Sequence, residues 1–171
     1  MNMEFLIGAL VAVIIVIVIR VGTKRTPAQT HYDEMQQQLR EKGYRLGYLV
    51  TLIGMAALML LLEGGLLKQV EPSLCIFFVL MAGIITFVVY CIQKEAFFSI
   101  GQRSTYYIVI CAVVVVLNGI SAMTHILTNQ IWDNGVITFD NGCYLISSLS
   151  FLIVLIAIVL KKASAGKGEE E

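Results

Sequence analysis

The sequence predicts an all-α protein, a bundle of five transmembrane helices, and three observations carry that reading. The apolar residues are gathered into five blocks, with the charges almost entirely between them. Only 14% of the 171 residues are charged while 58% are hydrophobic, and the mean hydropathy is +0.83; a soluble domain carries roughly 25% charged residues. The Lys and Arg residues are also distributed unevenly between the segments that join the blocks, as positive charge is in helical membrane proteins. A β-barrel would alternate apolar and polar residues over short segments, and runs such as IGALVAVIIVIVI do not. No basic stripe with interleaved aromatics occurs, so nucleic acid is not among the expected partners.

Arg20 to Arg45 is the only long polar segment, and it holds six of the twelve basic residues: Arg20, Lys24, Arg25, Arg40, Lys42 and Arg45. Basic residues beside spans stay on the cytoplasmic face. With this segment inside, eleven Lys and Arg fall inside and one, Lys68, outside. That arrangement puts the N-terminus outside and the C-terminus in the cytoplasm. The chain starts with the acidic MNME, and no small-residue cleavage site precedes Arg20, so the first block reads as a retained span and not a signal peptide.

The five spans are expected at about 3–21, 46–67, 74–92, 105–124 and 143–160, within a single membrane domain 1–162 followed by a disordered cytoplasmic tail, 163–171. The first is rich in Val and Ile, which favour strand in water, but a backbone in lipid must satisfy its own hydrogen bonds and so forms helix. Gly8 and Ala12 in it form a small-xxx-small pair suited to a close helix neighbour.

Between spans one and two, Pro27 marks a turn, and Thr30 is placed to cap a helix with Asp33 and Glu34 in its first turn. Tyr32, Met35 and Leu39, followed by Leu46, Leu49 and Ile53, fall near one face. Two structures fit: an amphipathic helix lying at the cytoplasmic interface and turning at Gly43, or a continuous helix that projects span two beyond the membrane and offers Tyr32, Met35 and Leu39 to a partner.

In span two, Glu63 lies about 22 Å along the helix from Tyr48 at 1.5 Å per residue, near the outer surface. A carboxylate there either turns into the bundle to find a partner or reaches the headgroups. Glu63-Gly64-Gly65 is where the helix should begin to unwind. A tight outer turn with Pro72 leads to span three, and Phe97, Phe98 and Ile100 in the next inner loop suit membrane-surface anchoring.

Span four is polar in its outer half. Asn118, Ser121, Ala122 and His125 are spaced i, i+3, i+4 and i+7 and share a helical face, with Cys111 one heptad earlier. Such a face packs into a bundle through interhelical hydrogen bonds or lines a cavity. In the largest outer loop Trp132 reads as an interface anchor, and the turn sequences Asp133-Asn134-Gly135 and Asp140-Asn141-Gly142 bracket a short strand or re-entrant bend. Ser147, Ser148 and Ser150 give span five a polar outer side.

Few residues carry chemistry. Glu63, Asn118, Ser121, His125 and Ser147 are the candidates for a polar bundle face or cavity lining, with a Glu63–His125 pair as a proton-shuttle possibility. Cys75 and Cys143 share the outer surface, and a disulfide between them requires Cα atoms roughly 4.4–6.8 Å apart. No Cys/His spacing suits zinc, the outer loop lacks the ligand spacing of a helix-loop-helix Ca²⁺ site, and no catalytic motif occurs. No catalytic residue, metal or other cofactor is therefore assigned.

The stretch from Asp33 to Val50, DEMQQQLREKGYRLGYLV, loosely resembles a segment of small uncharacterised multi-pass proteins of Gram-positive bacteria, in which a polar helix likewise leads into the second span. The resemblance implies a bacterial plasma membrane and nothing about mechanism. The expected function is non-enzymatic: an accessory subunit or regulator of a membrane complex, in contact with lipids and with a membrane-protein partner or a second copy. A homo-oligomeric channel or small-solute transporter is the alternative, and a membrane enzyme stands third.

Overall fold

A computed structural model describes residues 32–98, 104–128, 131–133 and 135–167. Its elements are α1 (Glu34–Glu63), α2 (Pro72–Gln93), α3 (Ser104–Leu127), β1 (Trp132–Asp133), β2 (Val136–Ile137) and α4 (Phe139–Lys167). Among the described residues four helices, not five, are long and apolar enough to cross a membrane. The five-helix expectation is corrected accordingly; the first expected span, 3–21, with Gly8 and Ala12, lies outside the described residues. The chain is a multi-pass helical membrane protein, and much of each helix surface is bare hydrocarbon: Leu60 is 72% exposed and Leu117 61%.

Of the two structures that fit the segment before span two, the separate amphipathic helix is corrected and the continuous helix is found. α1 runs unbroken for 30 residues, about 45 Å at 1.5 Å per residue, against a hydrocarbon core of about 30 Å. No turn forms at Gly43, because Gly43 and Gly47 are buried helical positions where α2 comes closest. A Cβ on Gly43 would press on Cys91, Tyr90 and Phe87, one on Gly47 would lie 2.8 Å from the Gly83 carbonyl oxygen, and one on Gly83 would overlap Thr51. Glycine acts here as a place for two backbones to meet. Thr51 returns its hydroxyl to the Gly47 carbonyl at 2.9 Å, and Tyr44 stacks on Phe87 with centroids 4.2 Å apart.

Both ends of the α1–α2 hairpin are closed by the same device. After α1, the Gly65 N–H donates to Leu62 and the Leu66 N–H to Leu61, with Gly65 at φ +66°; this is the Schellman arrangement. After α2, the Glu95 N–H donates to Ile92 and the Ala96 N–H to Cys91, but the left-handed residue is Glu95, at φ 58°. Pro72 starts α2, where its fixed φ and missing N–H suit the first helical position.

The extensive helix packings are α1 on α2, α2 on α4, and α4 on α3. The helices thus stand in the order α1–α2–α4–α3, two hairpins side by side. α2 and α4 run parallel at the centre: their starts meet where Glu71 contacts Phe139, and their far ends meet where Lys161 pairs with Glu95 at 2.9 Å. One cluster of buried residues, Leu58, Cys75 and Val79, sits between α1 and α2. A second, Ile92, Cys111 and Ile158, joins α2, α3 and α4. Phe97 and Phe98, both half-buried, pack on this second cluster and meet Tyr107 edge to face at 5.8 and 5.3 Å. α4 remains helical through Lys167, which includes the first residues of the expected tail.

Candidate functional site

At the end bearing Lys68, the loop between α3 and α4 folds as the short hairpin its turn sequences allowed. Trp132 pairs with Ile137 and Asp133 with Val136, and Gly135 takes φ +82°. The hairpin docks on the α1–α2 turn: the Ile137 N–H donates to Gln69 at 2.8 Å and the Glu71 N–H to Ile137 at 3.0 Å. Glu71 completes the junction. Its carboxylate accepts the Ser73 hydroxyl at 2.6 Å and the N–H of Phe139, the first residue of α4, at 2.6 Å. An anion at a helix N-terminus meets unsatisfied N–H groups and the positive end of the helix dipole. The Ser73 hydroxyl first, and then the Phe139 N–H, hold the Glu71 carboxyl below its ordinary pKa.

The polar face of α3 turns toward α4. Ala122 is buried while Asn118, Ser121 and His125 are half-buried. Ser148 of α4 donates to the Val115 carbonyl at 3.4 Å. Asn118 donates to Val114 at 2.9 Å and Ser121 to Leu117 at 3.1 Å, each within its own helix. The His125 ring stacks on Tyr144, centroids 5.5 Å apart and 10° from parallel, and its Nδ1 is buried without a partner. Ser147 is half-buried on α4. Glu63, exposed, is the last residue of α1, while His125 belongs to α3, the opposite end of the row. Among the described residues Glu63 forms no ion pair.

At the other end, the three stripe residues differ. Met35 is 68% exposed, Leu39 is half-buried, and the Tyr32 ring is covered by the Arg40 guanidinium at 4.3 Å. The Gln36 side chain donates to the Glu95 carbonyl at 2.9 Å, which braces this first part of α1 against the end of α2. Cys75 is buried and Cys143 half-buried, both as free thiols; the Cys143 thiol donates to the Asp140 carbonyl at 3.6 Å. Among the described residues no three His, Cys, Asp or Glu side chains are grouped to hold a metal.

No protein-family model, curated protein or solved structure matches the chain. The comparisons assign neither a family nor a taxon, and they lend no support to the loose Gram-positive resemblance of residues 33–50.

Sequence reasoning misses Glu71 and the seam of Gly43, Gly47, Thr51 and Gly83, of which it names Gly43 alone, as a turn. The seam carries a readable signal, since Gly43 and Gly47 are four apart with Thr51 four beyond. Glu71 carries none, because its partner Phe139 lies 68 residues away.

Proposed function

We propose that the protein is a non-enzymatic accessory subunit or regulator of a membrane complex, and that the end of α1 beyond the bilayer is its docking element. The observation that carries this reading is the length and bracing of α1. The helix exceeds the hydrocarbon thickness by roughly 15 Å. Its first turns are held rigid by the Gln36–Glu95 hydrogen bond and the Arg40–Tyr32 stack, while Met35 stays exposed. A pre-ordered helix loses less entropy on binding than a flexible one, and an unbranched thioether adapts to an apolar partner groove. Seven basic residues among those described, Arg40, Lys42, Arg45, Lys94, Lys161, Lys162 and Lys167, flank the spans at this end, which favours the cytoplasmic face of a plasma membrane. The Gram-positive resemblance of 33–50 is the basis for placing that membrane in a bacterium.

A transport role has less support, since Asn118 and Ser121 spend their hydrogen bonds on their own helix and the four described helices stand in a row without surrounding a central path. A photo-crosslinking residue at Met35, with one at Leu60 as the lipid-facing control, tests the docking element in native membranes. The expected result is a discrete protein adduct from position 35 and lipid adducts alone from position 60. Lipid adducts from both positions would overturn the proposal.

A further inference from the structure

We propose that the cleft between α1, α2 and α4 at the Lys68 end is a binding site for one anionic phospholipid, its acyl chain in the cleft and its headgroup on Lys68. The cleft has a volume of about 430 Å³, within the roughly 300–1,000 Å³ of small-molecule sites. Its lining is hydrocarbon and one thiol: Gly54, Ala57 and Leu61 from α1, Cys75 and Phe78 from α2, and Ile146 from α4 form most of it. The indentation exists because α1 presents the small Ala57, where a larger side chain would fill the space, while Gly54 brings α1 close to Val79 at its inner edge. A site with no polar partners does not hold ordered water, and at this depth in the membrane an acyl chain is the apolar material at hand.

The headgroup end is argued from charge. Leu61 and Leu67, both in the lining, flank the α1–α2 turn, and Lys68 folds back over it: a Cβ on Gly65 would lie 2.9 Å from the Lys68 Cε. Lys68 is exposed, is the one Lys or Arg at this end of the described residues, and forms no ion pair among them. The nearby Glu71 carboxylate is committed to Ser73 and Phe139. An unpaired ammonium on the residue that follows Leu67 of the lining matches an amphiphile with a phosphate head, and a Lys near a membrane surface contributes about fivefold to the binding of anionic lipid.

The test is native mass spectrometry of the full chain in mild detergent, titrated with phosphatidylglycerol or with phosphatidylcholine of the same chains. The wild type should retain one phosphatidylglycerol, about fivefold more readily than phosphatidylcholine. Lys68→Gln should abolish that preference while one lipid of either kind is still retained. Ala57→Phe, which fills the cleft from an exposed position on α1, should lose retention of both, and Leu60→Phe, on the same helix away from the cleft, should leave it unchanged. An unaltered headgroup preference in Lys68→Gln, or equal retention in Ala57→Phe and Leu60→Phe, would overturn the proposal. Because Lys68 is exposed, the first variant remains informative even if the second fails to fold.

Discussion

The carboxylate of Glu71 accepts the backbone N–H of Phe139 at 2.6 Å, across 68 residues of sequence. One acidic side chain thereby ends the turn of the first hairpin and caps the second helix of the other. Replacing Glu71 with alanine should cost about 1 kcal/mol, the usual worth of an N-terminal cap, read as a lower unfolding midpoint in detergent. The pH dependence has a definite sign. The folded carboxyl has a pKa below its ordinary value, so its contribution is present above the ordinary carboxylate range and is lost as pH falls through the depressed folded value. The gap between wild type and Glu71→Ala should therefore narrow on acidification.

The α1–α2 seam makes a steric prediction. A methyl group on Gly83 would overlap Thr51 and crowd the Gly47 carbonyl oxygen at 2.9 Å, so Gly83→Ala should destabilise the protein by about 1–3 kcal/mol, as overpacking does. Gly119 is the control. Its added methyl would meet the Ser148 hydroxyl at an ordinary 3.5 Å, and Gly119→Ala should be neutral or stabilising in the same unfolding assay, since alanine is the better helix residue.

Legibility from sequence followed the range of each interaction. Three helices were expected at 74–92, 105–124 and 143–160 and occur at Pro72–Gln93, Ser104–Leu127 and Phe139–Lys167; hydropathy finds the apolar centre, and caps beyond it set the ends. The helix end at Glu63-Gly64-Gly65 was readable because glycine is the usual left-handed residue. Gly43 was misleading for the same reason. Read as a turn, it proves to be a contact point inside a helix, and only the neighbour's position distinguishes the two uses. The Asn118/Ser121/His125 face was legible from its spacing, but which helix it meets was not.

Glu95 offers a case in which two small effects oppose each other. Its left-handed φ of 58° costs a side-chain-bearing residue about 1 kcal/mol relative to glycine. Its ion pair with Lys161 is solvent-facing, with side chains 73% and 37% exposed, and such pairs contribute about 0–1 kcal/mol. Glu95→Gly should therefore be neutral or slightly stabilising, and Lys161→Gln close to neutral, by thermal unfolding in detergent. A large loss in Glu95→Gly would assign the ion pair a weight this geometry does not give it.

Four spanning helices return the described chain to the face from which it starts. Cysteines introduced at Lys68 should react with an impermeant thiol reagent from one side of the membrane, and those at Lys94 and Lys162 from the other. With the basic end in the cytoplasm, the reagent added outside reaches only position 68. Labelling of positions 68 and 94 from the same side would break the two-hairpin arrangement.

The accessory role is tested most directly by the native mass of the protein extracted from its own membrane in mild detergent, with every co-purifying chain identified. A stoichiometric unrelated membrane protein, lost when Met35 is changed to Asp, is the predicted result. A defined homo-oligomer with no partner, unaffected by Met35→Asp, would contradict it and favour a path built between copies of the chain.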